Sequence, residues 1–232
     1  MKLVFWFRKY HKWLALVVGI QAVIWAISGL YMTAIHIDYI HGDHLVKQQP
    51  PIDLASFEVM PLENEFLSSL GEIKSIRLTV VQRQPVYLIR TAQASLKIDA
   101  ITLQTLPELD EASIKEIAEQ TYAGQNKVIS VELLENYPGE LGGRKQPIWR
   151  VEYDDWLQSS LYFLPETGQL RSKRSNLWRV FDFLWMLHIM DYESREKINN
   201  NLLTIAASLG GLMVLSGLGL LFYSFRKSQR AG

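Results

Sequence analysis

"WLALVVGIQAVIWAISGLYMTAI", residues 13–35, is a run of 23 residues without a charged side chain. A hydrocarbon core of ~30 Å takes about 20 predominantly apolar residues to cross as a helix. Inside lipid the backbone must satisfy its own hydrogen bonds, so the run reads as a transmembrane helix. A second such run, "LLTIAASLGGLMVLSGLGLLFYSF", fills residues 202–225 and has 24 uncharged residues. The first run is longer than the roughly 7–15 apolar residues of a cleaved signal peptide, and no A-x-A site follows it. An uncleaved anchor is the expectation.

The charges fix an expected orientation. The chain has 232 residues, with 24 basic and 24 acidic side chains. Residues 1–12 carry Lys2, Arg8, Lys9 and Lys12 and no acid, and residues 226–232 carry Arg226, Lys227 and Arg230 and no acid. Basic tails stay on the cytoplasmic side, so both termini are expected there, in the bacterial inner membrane, with the central region in the periplasm. Taking those seven cations from the 24 leaves 17 against 24 acids in the middle, a net of −7. Such a surface does not favour nucleic acid. Cysteine is absent, which removes disulfides, thiolate metal sites, iron–sulfur clusters and cysteine nucleophiles. Any redox chemistry needs a borrowed cofactor.

The middle reads as α+β. A short helix is expected within residues 53–70, ending near Gly71. "IKSIRLTVV" (73–81) and "PVYLIRT" (85–91) alternate apolar and polar residues as strands do. "LKIDAITLQTL" (96–106) continues the pattern with a turn near residues 99–102. "DEASIKEIAEQTY" (110–122) is a helix with Asp110 as N-cap and Ile114, Ile117, Ala118 and Tyr122 on one face. Three more strands follow in "KVISVELLE", "PIWRVEYDD" and "SSLYFLPETGQLRS", the last with a Pro-Glu-Thr-Gly turn at 165–168. There is an internal echo: "QPVYL" (84–88) matches "QPIWR" (146–150), and "LKIDAITLQ" (96–104) matches "LYFLPETGQ" (161–169). Each half then reads as a helix followed by a small antiparallel sheet. "NLWRVFDFLWMLHIMDY" (176–192), apolar and aromatic with three charges, suits either an interfacial helix or a core helix. The expected organisation is a tail at 1–12, a span at 13–35, a folded domain at 36–175, a membrane-proximal helix at 176–201, a span at 202–225 and a tail at 226–232.

Four stretches, in this order, resemble the PepSY-associated transmembrane family. They are "KYHKWLALVVGIQAVIWAISGLYM" (9–32), the helix-then-strands pattern ending "LYFLPETGQL", "LWMLHIMDY" (184–192) and "LMVLSGLGLLFY" (212–223). The first and last share the tripeptide S-G-L. The resemblance implies a PepSY-like extracytoplasmic domain. Larger relatives with four or more spans include membrane reductases that carry b-type haem and help reduce iron–siderophore complexes or pass electrons to flavins. Other PepSY modules resemble propeptide-like inhibitors of peptidases. This chain departs from the larger pattern in having two spans and no flavin or nicotinamide domain, so haem reduction by a single chain is not implied unless two chains associate.

Five histidines are present: His11, His36, His41, His44 and His188. At ~100° per residue, His11 and His36 differ by only ~20° in azimuth, and Ala15, Val18, Ala22, Trp25, Gly29 and Thr33 lie near the same line. The two imidazoles are ~37 Å apart along such a helix, too far to share one ligand. They could serve one site near each membrane surface. Axial histidine nitrogens hold haem iron, and helical bundles build such sites from facing helices. His11, His36 and His188 are therefore the candidate ligands of haem b, completed by a homo-oligomer or a partner membrane protein. The same small residues also suit plain helix packing, as do Ala206, Gly210 and Gly217 in the second span. "HIDYIHGDH" (36–44) offers three histidines and two aspartates to a transition metal, or is a solvated loop. Ser28 and Ser216 would most simply bond backbone carbonyls. No G-x-S-x-G, H-E-x-x-H or phosphate loop occurs, and no catalytic residue is assigned. Electron transfer is the leading function. The alternative is a non-enzymatic binding, assembly or regulatory subunit that works through its folded domain.

Overall fold

A computed structural model describes residues 2–48, 50 and 52–228. Arg230 and the rest of the basic tail at 229–232 lie outside the described residues. In chain order the helices are α1 (Lys2–Ala34), α2 (Ile37–His41), α3 (Asn64–Ser69), α4 (Glu111–Thr121), α5 (Asn176–Ile189) and α6 (Asn201–Ser228). The strands are β1 (Ile73–Val81), β2 (Gln84–Thr91) and β3 (Ser95–Asp99), then β4 (Val128–Leu134), β5 (Ile148–Tyr153), β6 (Ser160–Phe163) and β7 (Leu170–Arg174). The fold is α+β, with two long apolar helices flanking a region of two antiparallel sheets. Two compact units result: residues up to 37 with those from 179 onward, and Asp38–Trp178.

In the helical unit, Arg8–Ala34 and Asn201–Phe222 are long and apolar enough to cross a membrane. α1 is already helical at Lys2 and carries Trp6, Tyr10 and Trp13 at the start of its apolar run. Trp6 stacks on Tyr10, and the Lys9 ammonium sits over the Trp6 ring. Aromatic and basic residues of this kind favour a membrane–water interface. α1 and α6 run antiparallel, since His11 meets Ser216 while Val18 faces Gly210. Sheltered positions recur every seven residues: His11, Val18, Trp25 and Met32 with Leu14, Gln21 and Ser28 on α1, and Leu203, Gly210 and Gly217 with Ala206, Met213 and Leu220 on α6. A seven-residue spacing is the seam of a left-handed helix pair. It departs from the straight stripe expected from the sequence, because Ala22 and Thr33 are exposed whereas Ser28 is fully buried. Leu16, Val17, Ile20, Val23, Ile27 and Leu30 are all more than half exposed, which is the surface a bilayer would cover.

The second unit is a duplication written in hydrogen bonds. In the first half Tyr87, Leu88, Ile89 and Arg90 pair with Ile98, Lys97, Leu96 and Ser95. In the second, Trp149, Arg150, Val151 and Glu152 pair with Phe163, Tyr162, Leu161 and Ser160, which are the same positions at the offsets of 62 and 65 seen in the sequence echo. Ile73 pairs with Thr91 as Val128 pairs with Tyr153, and each outer strand carries a bulge two residues further on. The hairpin ends match as well. Asp99 N donates to Gln104 O and Leu164 N to Gln169 O, both at 2.9 Å. Leu103 N donates to Asp99 O and Gly168 N to Leu164 O, with φ of 57° and 65° at the two turn residues.

The main core lies in the second half. Asp110 caps α4 by accepting from Ser113 N at 2.8 Å. The face it starts, Ile114, Ala118 and Tyr122, packs on Trp149, Val151, Tyr153, Leu161 and Phe163 of the sheet. Tyr122 and Tyr153 stack with ring centroids 3.8 Å apart. Tyr153 donates its hydroxyl to Ala118 O, and Tyr122 donates to Asp155. Burial, with the Asp155 carboxylate adding to it, pushes the Tyr122 phenol up to about 12. Both phenols therefore stay protonated donors across the neutral range.

Gly168 occupies the left-handed region where a side chain costs ~1–2 kcal/mol. A Cβ there would also press on Ile117 and Leu109, the α4-side wall of this core. Gly168→Ala is expected to lower the domain's stability by about that amount, read as a lower midpoint in thermal unfolding followed by circular dichroism.

Candidate functional site

Two histidines in the helical unit are each held by a serine. His11 Nδ1 lies 2.7 Å from Ser216 Oγ on α6. His188 Nδ1, on α5, lies 2.7 Å from Ser28 Oγ on α1. The two serines are those of the paired S-G-L tripeptides. Each also bonds its own helix: Ser216 donates to Met213 O at 2.8 Å and Ser28 to Ile24 O at 2.8 Å. The expectation that they bond carbonyls therefore covers half of what they do. A serine has one proton to give. With that proton on the carbonyl, the serine oxygen accepts from Nδ1–H. In that arrangement each imidazole is the Nδ1–H tautomer with its lone pair on Nε2, the form in which histidine ligates a metal; with the serine proton on Nδ1 instead, the tautomer is reversed.

Local structure places each ring. On α1, Trp25 and Ser28 are one turn apart and face the same way. Trp25 Nε1–H donates to His188 O at 2.8 Å, so one of the carbonyls left over at the end of α5 is satisfied by the same helix that holds the ring. Next to it, Asn200 donates to Ile189 O and caps α6 by accepting from Leu203 N, both at 2.8 Å. The loop between α5 and α6 is tied by Asp191. Its carboxylate accepts from the backbone N–H groups of Glu193, Ser194, Glu196 and Lys197 and from the Ser194 hydroxyl. Those donors, the Ser194 hydroxyl first, hold its pKa well below the usual carboxylate range. Arg195 pairs with Asp182, and Trp185 Nε1–H donates to Arg195 O. His188 is thus fixed from its own helix end, from α1 and from the loop.

At His11 the decisive residue is Gly217. A Cβ at 217 would stand 3.3 Å from His11 Cε1 and 3.9 Å from Nε2. Glycine lets α6 lie close against this edge of the imidazole, where a side chain would crowd it. Ser28, the partner of His188, is 17 residues beyond His11 on α1, so the two sites lie about 25 Å apart along the axis. They are separate levels, and within one chain each level holds one serine-bound imidazole.

His36 is placed differently. α1 ends at Ala34, so the helical stripe drawn from His11 stops short of it, and His36 is an exposed residue at the break before α2. His41 and His44 are exposed in the second unit, where the His44 ring lies 4.9 Å from that of Tyr39. Lys173 donates to Asp43 at 2.5 Å and lowers its pKa. Among the described residues no three His, Asp or Glu side chains converge as a metal site would. Sequence reasoning missed the two serines as imidazole partners. The signal available was the repetition of S-G-L in both spans.

The sequence profile described as the PepSY-associated TM region matches residues 8–232. The chain belongs to this family. No curated protein and no solved structure matches it. This PepSY-associated protein is therefore a membrane protein whose family pattern takes in both long helices and everything between them.

The absence of cysteine gives a clean background for testing the seam. Val18 Cγ1 lies 3.9 Å from where a Gly210 Cβ would be. The double variant Val18→Cys/Gly210→Cys is expected to form an intramolecular disulfide on mild oxidation in membranes, seen as a mobility shift on non-reducing gels. Val17→Cys/Gly210→Cys, with Val17 on the exposed face, is expected to stay reduced.

Proposed function

We propose that this PepSY-associated protein takes part in electron transfer across the bacterial inner membrane as a haem b-linked component, with both termini cytoplasmic and the two-sheet domain periplasmic. The observation that carries this reading is the matched pair of serine-held imidazoles at two levels of one helix. The donor set fits the group: neutral imidazole is a common axial ligand of haem iron. His11 and His188 would each supply one axial nitrogen, and His36 remains the further candidate beyond the end of α1. Haem, when bound, would supply a one-electron carrier at each level. The chain's own part is to hold each ring in one tautomer and orientation and to keep its surroundings apolar. One imidazole per level leaves a second ligand to come from another copy of the chain or from a partner membrane protein. Basic residues at the start of α1, in line with its Trp6–Tyr10–Trp13 belt, support the proposed orientation.

The protein purified in detergent from haem-replete cells is expected to show a Soret band and split α bands on reduction. His11→Ala and His188→Ala should each remove part of that absorbance, and the double variant nearly all of it. A colourless protein, or a spectrum untouched by both substitutions, contradicts the reading.

A second reading is a binding or assembly subunit working through the periplasmic domain, including regulation of a peptidase. It is favoured by Trp156, which is 85% exposed in the turn between β5 and β6, and by Ile129 on the edge strand β4, 63% exposed. A contiguous apolar patch around such side chains would serve as a contact surface. On this reading Trp156→Ala would abolish co-purification of a membrane partner while leaving any haem spectrum unchanged.

A further inference from the structure

At the end of α1 that carries Trp6 and Tyr10, three exposed cations lie close together: Arg8, Lys9 and Lys12. At ~100° and ~1.5 Å per residue they share an arc of about 100° and a rise of about 6 Å. His11, which meets α6 through Ser216, lies about 60° outside that arc, on the Arg8 side. The cations therefore face outward from the seam between the two long helices. Trp13, Trp6 and Tyr10 occupy the next 100° or so beyond Lys9, and they are exposed as well.

This face lacks counter-charge. Residues 1–37 and 197–232 contain no Asp or Glu, so neither long helix offers a carboxylate side chain. Elsewhere Arg90, Arg150 and Arg195 each meet a carboxylate. Arg8 and Lys12 stand at i and i+4, where like charges repel. The Lys9 ammonium rests over the Trp6 ring, 5.2 Å from its centroid, and Trp6 stacks on Tyr10. Whatever neutralises these cations comes from outside the two helices. The aromatic residues on the same turns favour the membrane–water interface, which puts that anion at the depth of lipid headgroups. The charge-free run begins at Trp13, directly after Lys12, so the cations border the hydrocarbon.

We propose that this face of α1 holds the headgroup of an anionic phospholipid, with Arg8 and Lys12 on its phosphate, Lys9 at the rim and the aromatic side against the glycerol and upper acyl chains. The guanidinium fork matches two phosphate oxygens, and the ammonium groups act as point charges. Each such cation at an anionic membrane surface is worth about fivefold in affinity. A zwitterionic lipid offers the same phosphate with a cation beside it, so net charge is what the site selects. The proposal takes only the name of the leaflet, cytoplasmic, from the orientation given above. The lipid preference depends neither on sidedness nor on haem.

The test is native mass spectrometry of the full chain in detergent, titrated with phosphatidylglycerol and with phosphatidylethanolamine of the same acyl chains. A saturable phosphatidylglycerol adduct is expected, at least about tenfold tighter than the phosphatidylethanolamine adduct. The double variant Arg8→Gln/Lys12→Gln removes two contacts of about fivefold each and should bring the two lipids close to equal. Glutamine keeps the helix propensity of these exposed positions. Lys197→Gln, an exposed cation in the loop before α6, should leave the ratio unchanged. Equal binding of the two lipids by the unaltered chain overturns the proposal, and so does a preference that survives the double substitution. The readout is mass, so a colourless protein or an inverted topology leaves it intact, and failure here is distinct from failure of the haem reading.

Discussion

Two hydrogen bonds between helices, each from an imidazole Nδ1 to a serine Oγ, organise the helical half of this molecule. In an apolar surrounding neither partner has water to fall back on, so the bond sets how the helices meet even though its net worth is roughly 0.6–2 kcal/mol. One ties α1 to α6 through His11 and Ser216; the other ties α5 to α1 through His188 and Ser28. Glycine at 217 and at 210 lets the seam close around them. The consequence is chemical as much as structural. A serine that gives its proton to the turn behind it accepts one from the ring, and the lone pair then lies on the ring's other nitrogen.

The folded domain rests on a different constraint, duplication. Each copy has its own core cluster, Val81, Val86 and Leu88 in the first half and the α4-covered sheet in the second. Because the copies share register, bulge and turn, their differences mark where function has room. Asp99 and Leu164 begin equivalent turns with unlike side chains, and Leu103 accepts a left-handed φ where Gly168 takes it without a side chain. Lys97 against Tyr162 is the difference with the largest electrostatic consequence, since a charge replaces a neutral phenol at a buried position.

Much of this was legible in the sequence, and for local reasons. Charge-free runs identify both long helices because lipid leaves the backbone no alternative. β1 matches the alternating stretch at 73–81, and Asp110 caps α4, because period-2 patterning and side-chain capping act over a few residues. The echo at 84–104 and 146–169 survives as identical pairing because register is fixed by which residues face the core. What could not be read depends on partners distant in the chain. Ser28 and His188 are 160 positions apart, and no periodicity within one helix announces such a contact. His36 slipped off the stripe because α1 ends at Ala34, before an Ile-His pair that carries no strong stop signal.

The most direct measurement is ¹⁵N-histidine NMR of the chain in lipid, prepared without haem, with single histidine replacements for assignment. The account requires His11 and His188 to carry the proton on Nδ1 and to show a pyridine-type Nε2, with Ser216→Ala and Ser28→Ala each mixing the tautomers of its own partner alone. Finding Nε2–H at both rings, or no response to loss of either serine, would contradict it.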